Sequence, residues 1–255
     1  MERDTDGTRG VKSDETLFAL VEQIRESEGA GVTELADALG LAKSTVHGHL
    51  STMREHGFVV RRDGEYRLGL EFFGHGQYVR TQRAVYDVAL PVLDDLAEET
   101  GETTWLMVHE NGRVMVIDGR AAGAEINVNS VVGSWAHMHA NSGGKAILAH
   151  LPTEEVDEIA ADSGLPAMTD ATITDREALA TELETVRERG FALNLGEDLR
   201  GIHAVAVPLF DGDEVQGSIA IAGPAHRVDR DRCTGELAER LGAAADDIEV
   251  GLAYR

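Results

Sequence analysis

The sequence predicts an α+β chain in two domains: an N-terminal winged helix-turn-helix, then, through a connecting helix, a larger mixed domain. Three observations carry this. Two stretches of helical periodicity between Thr33 and Gly57 are joined by a tight turn at Gly40. Directly behind them, Asp63-Gly64 is a hairpin signal between two short strand-forming runs. From Ala84 onward strand and helix patterns are interleaved, with further hairpin signals at Asn111-Gly112 and Asp211-Gly212.

Residues 1–12 are polar and are expected to fray. Over 13–28, Leu17, Leu20, Val21 and Ile24 recur at helical spacing before the turn Gly29-Ala30-Gly31. Thr33 reads as the N-cap of a second helix, with Leu35, Ala36 and Leu39 as its buried stripe and Gly40 as its end. The chain restarts at 42–45. Val46, Leu50 and Met53 then fall at i, i+4 and i+7, on one inward face, and Gly57 is the stop.

The outward face of this third helix carries Lys43, Ser44, Thr45, His47, Gly48, His49, Ser51 and Thr52. Small, polar and cationic side chains suit a major groove about 12 Å wide, where hydroxyls and imidazoles reach base edges and Lys43 or Arg54 meets phosphate. An ordinary helical hairpin with a solvated face carries the same pattern. A following strand pair, 58–62 and 65–68, with Arg61 and Arg62 at its tip, makes a winged DNA-reading domain over 1–69 the more specific reading. Residues 70–83 form the connecting helix, weakened by Gly74 and Gly76, each costing up to about 1 kcal/mol relative to alanine.

The second domain, 84–255, opens with a helix ending near Gly101 and interrupted by Pro91. Strands are expected at 103–109, 113–118, 125–132, 191–195, 203–208 and 214–222, and helices at 142–150, 153–162, 175–189 and 229–253.

Acidic residues outnumber basic ones 46 to 23, a formal charge of −23. The excess is uneven: residues 1–69 hold 9 Lys/Arg against 13 Asp/Glu, and the rest of the chain holds 14 against 33. A DNA-reading role for the first domain therefore survives the overall charge. Only three lysines, Lys12, Lys43 and Lys145, stand beside twenty arginines, a composition resembling that of extreme halophiles, where an acidic surface keeps proteins soluble in molar salt. Counterion release is then a weak driving force, and base and shape contacts must supply more of the affinity. The single Cys233 cannot form an intrachain disulfide, and neither a signal peptide nor a long apolar span occurs. The expectation is a cytoplasmic protein with no membrane partner.

The loop Asn141-Ser142-Gly143-Gly144 runs into a helix near Lys145. Glycines at a helix start permit two readings, a cradle for an anionic ligand group or a tight turn. It is not a phosphate-binding P-loop, because His139 stands at the first glycine position and Ala146 at the magnesium-binding hydroxyl. His137 and His139 are two apart with no cysteine or carboxylate set beside them, so burial or a polar ligand contact is the better reading than a metal site. Trp105 and Trp135 read as core or pocket wall rather than an aromatic cage. No catalytic elbow, zinc-protease helix or dinucleotide fingerprint occurs, and neither enzyme activity nor a cofactor is expected.

The chain resembles the IclR family of transcriptional regulators over nearly all its length. The resemblance is carried by GLAKSTVHGHLSTMREHGFVVRRDGEYRLG at 40–69, PVLDDLAEETGETTWLMV at 91–108, VGSWAHMHANSGGKAILAHLP at 132–152, RERGFALNLGEDLRGIHAVAVPLFDGD at 187–213 and IAIAGPAHR at 219–227. It implies a GAF-like C-terminal effector-binding domain, and a homodimer or homotetramer on a pseudopalindromic double-stranded operator. The implied small-molecule effector is an organic or aromatic acid or a sugar-derived metabolite. It assigns the 141–144 loop to effector contact and matches Asn194, Glu197, His203, Ala220 and Ala222 to pocket positions. Ala220 and Ala222 stand where some members carry serines, and Asn194 where an aspartate can stand. Those departures point away from two- and three-carbon acids and toward a larger or partly apolar effector. A winged helix serving only protein interaction is the competing reading.

Overall fold

The apolar positions that recur at helical spacing in the first domain converge on one core, where Leu20, Ile24, Leu35, Val46, Leu50 and Met53 meet Val59 and Tyr66 of the wing. They lie on helices α1 (Lys12–Glu26), α2 (Val32–Leu39) and α3 (Lys43–Glu55) and on the antiparallel strands β1 (Val59–Arg62) and β2 (Glu65–Leu68). The structure is a computed structural model describing residues 10–123 and 127–255. It divides into two compact units, Met1–Arg80 and Thr81–Arg255.

Gly40 closes α2 at φ 64°, a left-handed conformation that glycine adopts without penalty. Thr33 is not the cap of that helix. The helix starts two residues earlier, at Val32, with Gly31 as its cap and the Gly31 N–H donating to the Glu34 carboxylate at 2.8 Å. Asp63 and Gly64 both take positive φ, 52° and 93°, the signature of the tight turn expected between β1 and β2. Helix α4 (Glu71–Thr81) runs unbroken despite Gly74 and Gly76. Its first turns are anchored by Phe72, edge-on to Phe58, and by His75, stacked on Phe58.

The second unit is built on a six-stranded antiparallel sheet in the order β5-β4-β3-β8-β7-β6. Its strands are β3 (Thr103–Glu110), β4 (Arg113–Ala121), β5 (Trp135–His137), β6 (Ala192–Leu195), β7 (Ile202–Asp211) and β8 (Glu214–Pro224). Successive strand residues point to opposite faces, which yields two cores. On the outer face Leu106, Val205, Ile219 and Ile221 pack under α5 (Ala84–Thr100) and the C-terminal helix Ala238–Ala253. On the inner face Trp105, Met107, Ala204, Ala206, Ala220 and Ala222 pack under α7 (Ser142–Leu148), with α8 (Thr153–Ser163) and α9 (Arg176–Arg189) flanking it.

Two expectations are corrected here. The strand expected at 125–132 is instead a short helix, α6 (Val128–Val131), and the next strand after β4 is Trp135–His137; residues 125 and 126 of that expectation lie outside the described residues. Helix α5 continues through Pro91 without a break. The C-terminal helix expected at 229–253 runs continuously from residue 230 to residue 253, with a π-helical turn inside it over Cys233–Leu237.

Candidate functional site

In the N-terminal unit the burial of Val46, Leu50 and Met53 on α3 fixes which residues face outward. Lys43, Ser44, Thr45, His47, Gly48, Thr52 and Arg54 are exposed, and His49 is half-buried. The Thr52 hydroxyl bonds back to the Gly48 carbonyl at 3.3 Å, so it is partly satisfied within the helix. On the wing, Arg61 and Arg62 are exposed, and the Arg61 guanidinium lies 5.6 Å from the Tyr66 ring centroid. That contact holds Arg61 against the wing, while Arg62 extends at its tip.

In the C-terminal unit the loop before α7 differs from the cradle reading. Asn141 caps the helix: its side-chain oxygen accepts from the Gly143 N–H at 2.9 Å and the Gly144 N–H at 3.3 Å. These are the donors an anion would need. Ser142, Gly143 and Gly144 are buried, and a side chain at Gly144 would lie 2.4 Å from the Met138 Cα. Close packing therefore explains the glycines, which is the tight-turn reading.

Asn194 also accepts, from the Glu197 N–H at 2.7 Å, and its amide nitrogen donates to the Ala140 carbonyl at 3.2 Å. Glu197 carries a role sequence reasoning missed. Its carboxylate receives both hydrogen bonds from Lys145 Nζ, at 2.6 and 2.8 Å, and Lys145 also lies 3.5 Å from Glu182. Lys145 is 1% exposed. Burial pushes the Glu197 carboxyl above the ordinary carboxylate range, opposed by the Lys145 charge. A lysine inside the apolar run KAILAHL was the one available signal; its partner 52 residues away was not readable.

The Glu197 carbonyl is held in turn by the hydroxyls of Thr169, at 3.2 Å, and Thr172, at 2.6 Å, tying the segment before α9 to the loop after β6. His139 is buried with Nε2 3.1 Å from the Pro166 carbonyl, and the His137 and His139 rings stand 5.6 Å apart. Burial lowers the pKa of both. Burial pushes the Asp198 carboxyl above its ordinary range, opposed by a hydrogen bond from Asn141 and by the charges of His137 and His139. Among the described residues no group of three or more His, Cys, Asp or Glu side chains is placed to hold a metal ion.

Ala220 and Ala222 face inward, beside Trp105 and Ala204. His203 does not join them. It pairs with Gly223, one residue out of step with Ala204 opposite Ala222, so it lies on the outer face with Nδ1 2.9 Å from the Val228 carbonyl. His203 therefore does not line the inner sheet face, contrary to the expectation.

Comparison with known proteins now decides the family. A model of the bacterial transcriptional regulator IclR C-terminal region matches residues 77–250, and one of the IclR helix-turn-helix domain matches residues 17–63. The chain belongs to the IclR family. The transcriptional repressor IclR of Escherichia coli is 34% identical to this IclR-family chain over 253 residues, covering 97% of this chain and 89% of the relative. The crystal structure of the Thermotoga maritima IclR superposes with a TM-score of 0.77 at 28% identity, covering 95% of this chain and 98% of that one. An IclR homologue from Microbacterium hydrocarbonoxydans, solved in complex with 4-hydroxybenzoate, shares the fold at a TM-score of 0.79 and 24% identity, over 94% of this chain and 100% of its own. This IclR-family chain is a transcriptional regulator with a DNA-binding helix-turn-helix and an effector-binding C-terminal domain, and not an enzyme. Among the described residues no helix is long and apolar enough to cross a membrane.

Proposed function

We propose that this regulator binds a pseudopalindromic operator as a homodimer or homotetramer, and that a small organic or aromatic acid, or a sugar-derived metabolite, controls the binding. The domain assignment is 1–69 for DNA reading, 70–83 for the linker and 84–255 for effector binding. The observation that carries the reading is the outward face of α3: seven exposed small, polar or cationic residues on a helix whose other side is locked into a core, beside an arginine-tipped wing. Base contacts fall to Ser44, Thr45, His47 and His49, and phosphate contacts to Lys43, Arg54 and Arg62. Two copies related by a two-fold axis set their reading helices about 34 Å apart, or a multiple of that, on successive major-groove faces.

The effector reading centres on the inner sheet face by Asn194, Ala220 and Ala222, with His137, His139 and Asn141 at its rim. The acidic, lysine-poor surface fits operation in concentrated salt. The test is quantitative binding to the DNA upstream of the protein's own coding sequence, in high potassium salt, with and without candidate metabolites. Selective binding that a metabolite strengthens or weakens is the expected outcome. Equal binding to operator and scrambled DNA at every salt concentration would replace this reading with a protein-interaction module.

A further inference from the structure

Beyond the residues assigned so far, we infer that Trp105 and Ser218 are specificity-determining residues of the effector pocket, selecting a planar ring that bears a hydrogen-bond acceptor; this rests on the effector reading above. The sheet register sets the geometry. Trp105 pairs with Ala220, which pairs with Ala206; Thr103 pairs with Ala222, which pairs with Ala204; and Met107 pairs with Ser218. All these residues face inward. One indole therefore stands beside four methyl groups, where a close-packed interior ordinarily alternates large and small side chains.

Two polar groups in this row lack partners. The Ser218 hydroxyl is fully buried with no hydrogen bond, two residues before Ala220 on the same face. Gly143 leaves it room, since a side chain there would lie 2.7 Å from the Ser218 oxygen. Buried hydroxyls are ordinarily bonded, so this one is a donor held for an acceptor. Trp105 is 7% exposed, and its benzo edge is pressed on Gly119, where a Cβ would lie 2.4 Å from Cε3. In an indole the N–H lies on the opposite edge, so it is directed away from β4, and among the described residues it meets no acceptor.

Lys145, the nearby cation on α7, is committed to Glu197 and Glu182. Recognition at the inner face thus falls to two neutral donors and a ring surface. That combination fits a flat acceptor-bearing ring, such as an aromatic acid, better than a compact keto-acid or a polyol.

The experiment uses the full chain carrying Trp135→Phe, so that Trp105 is the sole tryptophan. 4-Hydroxybenzoate, benzoate, pyruvate and gluconate are titrated as probes, with fluorescence, thermal midpoint and operator binding read in parallel. An aromatic probe should change Trp105 fluorescence and bind at least about tenfold tighter than pyruvate or gluconate. Trp105→Leu should weaken that probe about 30-fold or more, as for a buried aromatic anchor. Ser218→Ala should weaken it about five- to tenfold, the loss of one hydrogen bond, while leaving the thermal midpoint of the free protein equal or higher because an unpaired buried hydroxyl is gone. A purely structural serine would not separate the two readouts.

Aromatic binding that ignores both substitutions, or operator binding that responds to pyruvate or gluconate alone, overturns this inference and leaves the effector reading standing. Operator binding indifferent to all four probes overturns both.

Discussion

Lys145 and Glu197 form a buried, doubly hydrogen-bonded ion pair, 2.6 and 2.8 Å between Nζ and the two carboxylate oxygens, joining α7 to the loop after β6. Removing one partner leaves an uncompensated charge in the interior, which costs about 3–5 kcal/mol, whereas replacing both with apolar residues of similar volume is often neutral or stabilising. Lys145→Met should therefore destabilise the C-terminal domain by about that amount, and Lys145→Met with Glu197→Leu should recover most of it. Chemical denaturation checks both. A single-variant loss under about 1 kcal/mol would mean that water reaches Glu197 and the pair is not sealed.

The two glycines of the α7 start are not equivalent. A Cβ at Gly144 meets the Met138 backbone at 2.4–2.8 Å, while one at Gly143 meets the ends of the Met107 and Ser218 side chains at 2.6–2.8 Å. Backbone cannot move aside cheaply and a methionine tip can. Gly144→Ala should cost about 3 kcal/mol or more and Gly143→Ala about 1–2 kcal/mol. The order of the two thermal midpoints decides the point, and the reverse order would refute it.

The same loop marks where sequence reasoning reaches its limit. Local signals were legible because they are local: Gly40, Asp63-Gly64 and Asn111-Gly112 all take the positive φ their turns require. Val46, Leu50 and Met53 likewise turn inward as their spacing dictates. The Lys145–Glu197 pair was not legible, because a contact 52 residues apart leaves no periodic trace. His203 failed differently. Its position in the chain was right, but one step of strand register moves a side chain to the opposite face, and register is set by pairing with β8. Residues 128–131 read as strand because a valine-rich run suits either state, and here it forms a helical turn.

Acid should destabilise the protein through its histidines. Burial lowers the pKa values of His137, His139 and His150 from the ordinary 6.5. Between 6.5 and those lower values the unfolded chain binds protons that the folded chain refuses, so stability rises with pH across the window and is lost as pH falls through it; above 6.5 these groups contribute nothing. Glu197 and Asp198, both raised mainly by burial, act in the opposite sense at lower pH, their charged forms being the disfavoured ones. His139→Gln should flatten the stability curve relative to the parent as the pH falls below about 6.5, and leave it unchanged above that. Parallel curves would show that His139 titrates freely.

On the DNA side, Thr45 and His47 are exposed at the centre of the α3 face, and Arg62 is exposed on the wing. Thr45→Ala and His47→Ala should each reduce discrimination between operator and random DNA by about 1–3 kcal/mol, the worth of a good base contact. Arg62→Ala should weaken binding to both alike. Competition binding at fixed salt separates these outcomes, and equal losses on both DNAs for all three variants would contradict the division of roles.

Gly48 offers a sharper test of the same face. It sits inside α3, where glycine costs about 1 kcal/mol relative to alanine, and a side chain there would touch nothing within 4 Å. The fold supplies no reason for it. A close approach of the helix backbone to the groove would supply one, since a methyl group would then stand between helix and bases. Gly48→Ala should therefore raise the stability of the N-terminal domain by up to about 1 kcal/mol and at the same time weaken operator binding. A stabilised variant with undiminished operator affinity would show that α3 does not approach DNA at residue 48, and would move the groove contacts toward Ser44 and Thr45 at the start of the helix.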